Sequence, residues 1–446
     1  MRLNVRVVSE KFQKKFASNI PENENHYAAS RNAFIVDGAT AVTIAALITG
    51  TFLSGLLEVI GASKLLNGII SALPLLASLS SPFGAFFAQH RVKQKMFVCA
   101  GAFLHRLMFT TVLFLPIMPI SQPLKVFMAA ILICAAHCLG GIISPSASGW
   151  LISLVPAKMR GRYFATRELI SLITLAAITL SGGSMLDFFD AKGKKEIGFV
   201  AIGIIVGLLT IVNVYALLTT MEPEAEKDDT SKISLLNAFK MVLKDDGFRP
   251  FIIMNGMFNF SAQILIPYFG IYLIHDLKIS YIKISVVAFA TSILKAVVVK
   301  RWGSLADRTS WTYVSRLAIL IIAISHIMYF FMVPGNSSWL YPGAALFSNF
   351  GWAAIGIAIF NTQYDYAPKK GRSLYIGVGL ALTGILGFLG AIAGSAIMTI
   401  MKNISWKVFN SVIKPQQIMS LFSGFALLVC VVYIKNIMET KEKQAD

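Results

Sequence analysis

Twelve apolar runs, each long enough to cross the hydrocarbon core of a bilayer, follow one another along the chain. A helix needs roughly 20 apolar residues to span about 30 Å of lipid. The predicted spans are 33–57, 64–89, 96–117, 124–154, 165–187, 197–220, 250–274, 280–302, 312–333, 339–361, 373–400 and 416–437. Because 56% of the 446 residues are hydrophobic and only 14% are charged, too little polar surface exists to coat a soluble protein of this length. We therefore predict an all-α integral membrane protein.

One long polar interval, residues 221–249, divides these runs into two sets of six. Landmarks on its two sides recur at a nearly constant spacing: Gly84 matches Gly303 at 219 residues, and Pro116 matches Pro334 at 218. Such a shift indicates a structural repeat. We predict a cytoplasmic N-terminal segment 1–32, an N-terminal six-helix bundle 33–220, a cytoplasmic linker 221–249, a C-terminal six-helix bundle 250–437 and a cytoplasmic tail 438–446.

The distribution of Lys and Arg predicts the orientation of the chain, whose formal net charge is +18 at pH 7. With the N-terminus in the cytoplasm, 27 of the 40 basic residues fall on cytoplasmic segments and 10 on the opposite side, as the positive-inside rule requires. No basic helix or RNA-type aromatic motif gathers these charges, so we expect no nucleic-acid partner. Residues 1–32 lack the pattern of a cleaved signal peptide. We expect both termini on the cytoplasmic side of the cell membrane.

A short connector, Gly303 to Arg308 (Gly-Ser-Leu-Ala-Asp-Arg), lies between the second and third predicted helices of the second half. It is similar to the Gly-x-Leu-Ala-Asp-Arg loop signature of the major facilitator superfamily, which occupies the same place in a repeat. The first-half copy keeps Gly84 but has Ala88 at the acidic position. The run Pro156 to Tyr163 also resembles the loop after the fourth helix in that superfamily.

This resemblance implies two six-helix bundles, related by a pseudo-twofold axis, that flank a central cavity and open it to one side of the membrane at a time. The first, second, fourth and fifth helices of each half would face the cavity or the other half. Asp307, with Arg308 beside it, would form a cytoplasmic latch with helix N-termini and basic loop residues. The alternative for Asp307 is a solvated turn aspartate.

Ionisable side chains within the spans are candidate coupling or solute-binding residues, because a charge in hydrocarbon is costly and usually has a function. Asp37 would take and release a coupling proton, or form a fixed ion pair with Arg167. Arg106, in the third helix, would suit an anionic solute or pair internally. Lys295, toward the cytoplasmic end of the eighth predicted span, would contact a solute or a gate, or extend its ammonium group to the membrane surface.

Polar side chains at helical spacing predict the helix faces that line a wet cavity. These sets are Asn255, Asn259 and Gln263 in the seventh helix, Asn349 and Trp352 in the tenth, His137 in the fourth and Asn67 in the second. The Trp352 indole could stack on a ring or cation of the solute. For each set the alternative is hydrogen bonding and packing between helices.

Enzymatic and metal chemistry have no support in the sequence. There is no nucleotide-binding Gly-x-x-x-x-Gly-Lys-Ser/Thr motif and no Ser/His/Asp constellation, so we expect no enzyme and no cofactor. Cys134, His137 and Cys138 lie on adjacent turns but lack a fourth ligand, so no metal site is predicted.

We therefore predict a monomeric secondary transporter that binds a small-molecule organic solute within the lipid bilayer, with proton coupling through Asp37 and export of amphipathic compounds as options. The alternative is a non-transporting membrane sensor or scaffold with the same fold. Such a protein would use the linker and the basic N-terminal segment as partner surfaces. An amphipathic linker helix is predicted from the helical spacing of Ile233, Leu236, Phe239, Lys240 and Leu243.

Overall fold

The structure is a computed structural model that describes residues 27–84, 94–156, 160–222, 235–368, 372–401, 407–408 and 411–445. Within these residues, eleven helices are long and apolar enough to cross a membrane, and a bent pair near the N-terminus makes twelve when it is counted as one span. The predicted all-α fold with twelve spans is confirmed. The described residues add one short antiparallel pairing between strands β1, Lys407–Val408, and β2, Ser411–Val412.

The helices of the N-terminal half are α1 (Ala28–Leu47 and Gly50–Val59), α2 (Lys64–Ala77, continued by a 3-10 turn Ser78–Ser80), α3 (Lys95–Phe114), α4 (Gln122–Leu154), α5 (Arg160–Ala191) and α6 (Lys195–Thr219). A linker helix, Leu235–Lys244, follows. The helices of the C-terminal half are α7 (Arg249–Gln263 and Ile266–Ile271, extended by a π-helical turn Tyr272–Asp276), α8 (Tyr281–Arg308), α9 (Trp311–Phe330), α10 (Ser337–Tyr366), α11 (Arg372–Met401) and α12 (Pro415–Tyr433, continued by Ile434–Met438 and Glu439–Ala445).

Some predictions concern residues outside the described ranges. They are the basic N-terminal segment up to residue 26, the connector 85–93 that contains Ala88, residues 157–159 of the second connector, the linker residues 223–234 that include Ile233, and residues 369–371.

The first span differs from its prediction as a single run over 33–57, because α1 bends by 45° between its two segments. Thr49 is extended, and Gly50 has φ +57°. This left-handed backbone conformation suits glycine, which has no Cβ. The hydroxyl of Thr49 donates to the carbonyl of Ala45 at 2.7 Å and provides one hydrogen bond at the break. Hydropathy alone could not detect the bend, since both segments are apolar.

Each half of the chain buries its own apolar core. The N-terminal core contains Leu56, Phe109, Ile133 and Val206, and the C-terminal core contains Met254, Ile322, Ala354 and Leu427. Because lipid tails are as apolar as these side chains, close packing rather than transfer from water favours helix association inside the membrane. The cores therefore make each bundle a packed body of its own.

The linker helix ends against the C-terminal bundle. Val242 is fully buried there, and Asp245 Oδ1 accepts the backbone N–H groups of Gly247 and Phe248 at 2.9 Å each. The hydroxyl of Tyr375 in α11 donates to Asp245 Oδ2 at 2.7 Å. Burial acts to raise the pKa of Asp245, but the hydroxyl and the two amides stabilise the charged carboxylate, and the net pKa is lowered. Asp245 thus links the N-terminal end of α7 to α11 through hydrogen bonds.

An even number of crossings places the start of α1 and the end of α12 on one face of the membrane, which we name the terminal side. The opposite face, which carries the α1–α2, α3–α4, α5–α6, α7–α8, α9–α10 and α11–α12 connections, is the far side.

Candidate functional site

Charged side chains join the two bundles on the far side. Lys64, at the start of α2, donates to both carboxylate oxygens of Asp276, at the end of α7, at 2.8 Å each. Lys414 Nζ lies 3.6 Å from the same carboxylate, whose side chain is only 4% exposed. His275 lies 3.8 Å from Glu58 of α1. A buried carboxylate requires such partners, and Asp276 has one from each bundle, Lys64 and Lys414.

A second far-side contact connects α5 to α8. The carboxylate of Asp187 accepts the backbone N–H groups of Tyr281 at 2.9 Å and Ile282 at 2.8 Å. The first N–H groups of a helix have no partner within the helix and attract negative charge. Asp187 of one bundle therefore caps a helix of the other. One turn further along, the hydroxyl of Ser285 donates to the carbonyl of Thr179 at 3.2 Å.

Two tyrosine rings fill the contact between the bundles. Tyr281 of α8 is 3% exposed, and a Cβ on Gly55 of α1 would collide with its hydroxyl. Tyr268 of α7 is fully buried against Gly68 of α2, where a Cβ would collide with the ring. The Tyr268 hydroxyl donates to the carbonyl of Ala391 at 2.7 Å. Glycines at these two positions allow the rings to cross from one bundle to the other.

The contact between α2 and α11 reaches closer to the terminal side than these residues. The hydroxyl of Ser78 lies 3.4 Å from the carbonyl of Leu380. A Cβ on Gly384 would collide with the Ser78 side chain and would lie 2.5 Å from the carbonyl oxygen of Leu75. We name the contacts from Lys64 and Asp276 to Thr179 and Ser285 the far-side seam. Ser78 lies 14 residues after Lys64, about 21 Å along α2, so its contact with α11 lies nearer the terminal side and is named the α2–α11 contact.

The far-side seam ends on α8 at Ser285, and the residues that follow form an open face. Ala288 is exposed and Lys295 is half-buried. The predicted span 280–302 placed Lys295 toward the cytoplasmic end of the span, and this stays a prediction. The helix itself is longer than that span, because it has 28 residues and continues to Arg308. Lys295 is at its midpoint.

The described residues give Lys295 no carboxylate within 4 Å. Its ammonium group is therefore unpaired among the described residues, near the middle of α8.

Asp37 is the centre of a charged cluster inside the N-terminal bundle. Its Oδ1 lies 3.5 Å from Arg106 Nη2 of α3, and its Oδ2 lies 3.8 Å from Arg167 Nη2 of α5. Asn213 of α6 donates from Nδ2 to Asp37 Oδ1 at 3.0 Å and lies 2.8 Å from the hydroxyl of Thr40. Four helices thus meet at one carboxylate.

The same cluster holds more positive than negative charge. Arg106 and Arg167 together carry two positive charges against the single carboxylate of Asp37, and its side chain is 13% exposed. Two polar atoms in the cluster, Arg106 Nε and Asn213 Oδ1, are buried without a hydrogen-bond partner among the described residues. Protonation of Asp37 would leave both guanidinium groups uncompensated in apolar surroundings, which is costly.

The amides of α7 lie at a junction of three helices. Asn259 Nδ2 donates to the carbonyl and to the side-chain oxygen of Asn255, at 2.8 and 2.9 Å. A Cβ on Gly387 of α11 would lie 3.4 Å from Gln263 Cγ and 3.4 Å from Leu75 of α2. Gln263 has no hydrogen-bond partner among the described residues and remains partly exposed. Its amide is free to bind water or a solute.

Asn349 and Trp352, which the sequence grouped on one face of α10, have different surroundings. Asn349 is partly exposed and donates to the carbonyl of Ala345 at 2.8 Å. Trp352 packs on Phe258 of α7, with ring centroids 5.6 Å apart, and belongs to the edge of the C-terminal core. Further toward the terminal side, a Cβ on Gly356 would meet nothing within 4 Å. Asn349 and Gly356 therefore lie on an open face of α10.

A family model described as Major Facilitator Superfamily matches residues 35–395. The chain belongs to this family of membrane transporters. Solved structures share its fold. The nucleoside transporter NupG aligns with a TM-score of 0.71 and 13% identity, and the alignment covers 91% of this chain and 99% of NupG.

For a D-xylose–proton symporter the TM-score is 0.68, with 14% identity and coverages of 92% and 98%. A bacterial homologue of the iron transporter ferroportin in an inward-facing state also has a TM-score of 0.68, with 12% identity and coverages of 92% and 97%. A comparison with curated protein sequences finds no match.

In the superfamily framework, Asp307 and Arg308 form the last residues of α8 instead of a separate loop, and both are exposed. Asp307 makes no ion pair or hydrogen bond with any residue that the structure describes. The latch expected from the signature is therefore not engaged by described residues in this conformation.

Two other predicted solute-binding residues face protein. Asn67 is fully buried, and its Nδ2 donates to the carbonyl of Ser54 at 2.7 Å, across the bend between α1 and α2. The ring of His137 lies 5.1 Å from that of Phe109, and its Nδ1 is 2.9 Å from the carbonyl of Ile133. In this conformation His137 therefore faces α3.

Several residues of the seam were missed in the sequence. Asp187, Asp276 and Lys64 fall at predicted span ends, where charged residues are common and carry little information. Asn213 is a lone amide in the apolar run of α6, a signal that could have identified it. Among the described residues, no three His, Cys, Asp or Glu side chains gather where a metal could bind.

Proposed function

We propose that this protein is a monomeric secondary transporter that moves a small organic solute across the cytoplasmic membrane by alternating access. The observation that carries the proposal is the asymmetry of the contacts between the bundles. Asp187 and Asp276 are bound across the far-side seam, whereas Asp307 is unpaired among the described residues at the opposite end of α8. The positive-inside distribution supports a cytoplasmic terminal side, so this conformation would face inward.

The chemistry of the seam suits reversible opening. Lys64 has a side chain that is 36% exposed, so water can replace its partner when the bundles separate. Lys414 of the C-terminal bundle would remain beside Asp276 when Lys64 leaves, and the helix cap at Asp187 contributes only about 1–2 kcal/mol. Rocking of the bundles would exchange these contacts for terminal-side contacts such as the Asp307 latch.

The solute site would lie between the open faces of α7, α8 and α10. Gln263 offers an unpaired amide, Asn349 a second amide and Lys295 an ammonium group, while Trp352 supplies an aromatic edge. Asn259 would position Gln263 by holding the same helix face through Asn255. Small-molecule sites commonly combine apolar walls with a few such polar groups.

The cluster around Asp37 favours a fixed counter-ion over a proton carrier. Arg106 and Arg167 both need the negative charge of Asp37, so loss of that charge would disturb the packing of α1 against α3 and α5. Substitution Asp37→Asn is therefore expected to lower the amount of folded protein, with gradient-driven accumulation and counterflow exchange reduced together. Loss of accumulation alone, with exchange intact, would support proton coupling through Asp37.

A disulfide across the seam tests alternating access directly. A Cβ on Gly270 of α7 would lie 3.2 Å from the Cβ of Ser54 of α1, near the roughly 3.5–4.5 Å found in disulfides. In a background without the four native cysteines, the pair Ser54→Cys and Gly270→Cys should cross-link the closed seam. Proteoliposome flux of radiolabelled nucleosides, sugars and amino acids, and of amphipathic dyes, should then stop and should return on reduction.

The single substitution Ser54→Cys is the control and should transport with or without oxidant. Full flux through verified cross-linked protein would overturn alternating access. If the wild-type protein binds a solute but transports none, the sensor or scaffold alternative is correct instead.

A further inference from the structure

Lys295 differs from the other basic residues buried within the spans. Arg106 and Arg167 share the carboxylate of Asp37, and Arg316 of α9 lies 2.6 Å from that of Glu439. Lys295 has no carboxylate within 4 Å among the described residues. An unpaired ammonium group inside a membrane protein is costly, and such groups usually face a polar pathway.

Lys295 lies in the interior of α8. It lies 14 residues after Tyr281 and 13 before Arg308, and at 1.5 Å per residue each end of the helix is about 20 Å away. Lysines near a membrane surface can extend to the headgroups, and Lys300, further along the helix, is exposed. Extension of Lys295 toward that surface is the alternative that the binding experiment below tests.

The direction of the side chain follows from its neighbours on α8. Three and seven residues later, Val298 and Trp302 share its face. Trp302 donates to the carbonyl of Phe350 in α10 at 3.1 Å. On the adjoining face, Ser285 contacts α5. Lys295 lies between these two directions, toward the space enclosed by α5, α8 and α10, and Ala288 on the same stripe is exposed.

The acidic side chains around this space are either already bound to other groups or close to the terminal side. Asp37 is held by two arginines, and Asp187 caps α8. Glu168 is an exposed residue of α5. It lies close to the terminal side, because α5 begins there at Arg160. Among the residues that the structure describes, the deep part of the space thus holds a lysine without a counter-ion.

From this arrangement we infer that the transported solute carries an anionic group, a carboxylate, sulfonate or phosphate, and that Lys295 binds it. This inference rests on the proposed transport function and names the class of its solute. The amides of Gln263 and Asn349 would bind other polar atoms, and the aromatic and aliphatic walls would hold the apolar part of the solute.

Three probes of similar shape test the charge: benzenesulfonate, benzenesulfonamide and benzyltrimethylammonium. They are accompanied by aliphatic and aromatic carboxylates and phosphates, and binding to the purified full-length protein is measured by calorimetry. We expect anionic probes to bind, and Lys295→Gln to weaken them about ten- to a hundredfold, since a hydrogen bond to a charged group is lost. Lys295→Arg should stay within a few-fold of the wild type.

Lys300→Gln is the matched control, because Lys300 is an exposed lysine on the same helix. It should leave affinity unchanged. The inference is overturned if neutral or cationic probes bind and anions do not, or if Lys295→Gln and Lys300→Gln have equal effects. In either case, transport of any solute by the purified protein in proteoliposomes would leave the proposed function standing. Absence of both binding and transport for every solute would overturn the two proposals together.

Discussion

The helix cap that Asp187 provides across the seam gives a quantitative prediction. Its carboxylate accepts two backbone N–H groups of α8, at 2.9 and 2.8 Å. Substitution Asp187→Asn keeps one acceptor oxygen but removes the charge and the second acceptor. Loss of a charge-assisted hydrogen bond at a helix N-terminus costs about 1–2 kcal/mol. If the cap forms only while the far side is closed, the population open on the far side should rise about 5- to 30-fold.

Thiol labelling from the far side measures this population. Ser54 is 1% exposed in the closed seam, so Ser54→Cys, in a background without native cysteines, should react with a membrane-impermeant reagent only when the seam opens. When opening and closing are fast, the labelling rate is proportional to the open fraction. Asp187→Asn should therefore accelerate labelling 5- to 30-fold, and Asp187→Ala should do so more strongly.

Asp190 is the matched control for this experiment. It lies one turn further on the same helix, has a side chain that is 51% exposed and pairs with Lys195 of its own bundle at 3.6 Å. Asp190→Asn should leave the labelling rate unchanged. Equal rates for Asp187→Asn, Asp190→Asn and the parent protein would refute the idea that the cap holds the far side closed.

Two further predictions concern α11 and the linker. Gly384→Ala should weaken the α2–α11 contact between the bundles, because the added methyl group would collide with Ser78. It should lower the thermal unfolding temperature in detergent, whereas Gly377→Ala, in open space on the same helix, should not. Asp245→Ala should cost about 1 kcal/mol of stability at pH 7 through loss of the cap, measured by thermal unfolding in detergent. The pKa of Asp245 is lowered in the folded protein, so its contribution to stability is present above the unfolded-state pKa and is lost as pH falls through the folded-state pKa. The difference in stability between wild type and variant should therefore shrink in acid. A constant difference at all pH values would contradict this expectation.

The sequence predicted the fold better than the site because the two depend on different information. Long apolar runs are determined locally, since each residue is either compatible with lipid or not. The bend of α1 at Thr49 and Gly50 escaped prediction because it changes backbone direction without changing hydropathy. The length of α8 was underestimated for a related reason: polar residues near Arg308 ended the predicted span, although the helix continues to Arg308.

Candidate site residues were recognised by type, but their partners were not. Asp37 and Arg167 were paired as one alternative, and the structure places their charged atoms 3.8 Å apart. Asn213, which lies 176 residues from Asp37 and binds its carboxylate, was overlooked. Polar spacing also grouped Asn349 with Trp352, although one lies on an open face and the other at the edge of the core.

The sequence by itself determined the number of crossings, their division into two related halves and the family of the protein, because hydropathy, charge asymmetry and repeated loop residues are properties of the chain alone. Only the tertiary structure decided which charges are neutralised and which stay free. That outcome depends on how each helix is rotated and tilted against its neighbours, and it brought Lys64 to Asp276 across 212 residues while leaving Lys295 without a counter-ion among the described residues. Contacts at hydrogen-bond distance are set by packing across the whole bundle, and no local pattern in the chain contains that information.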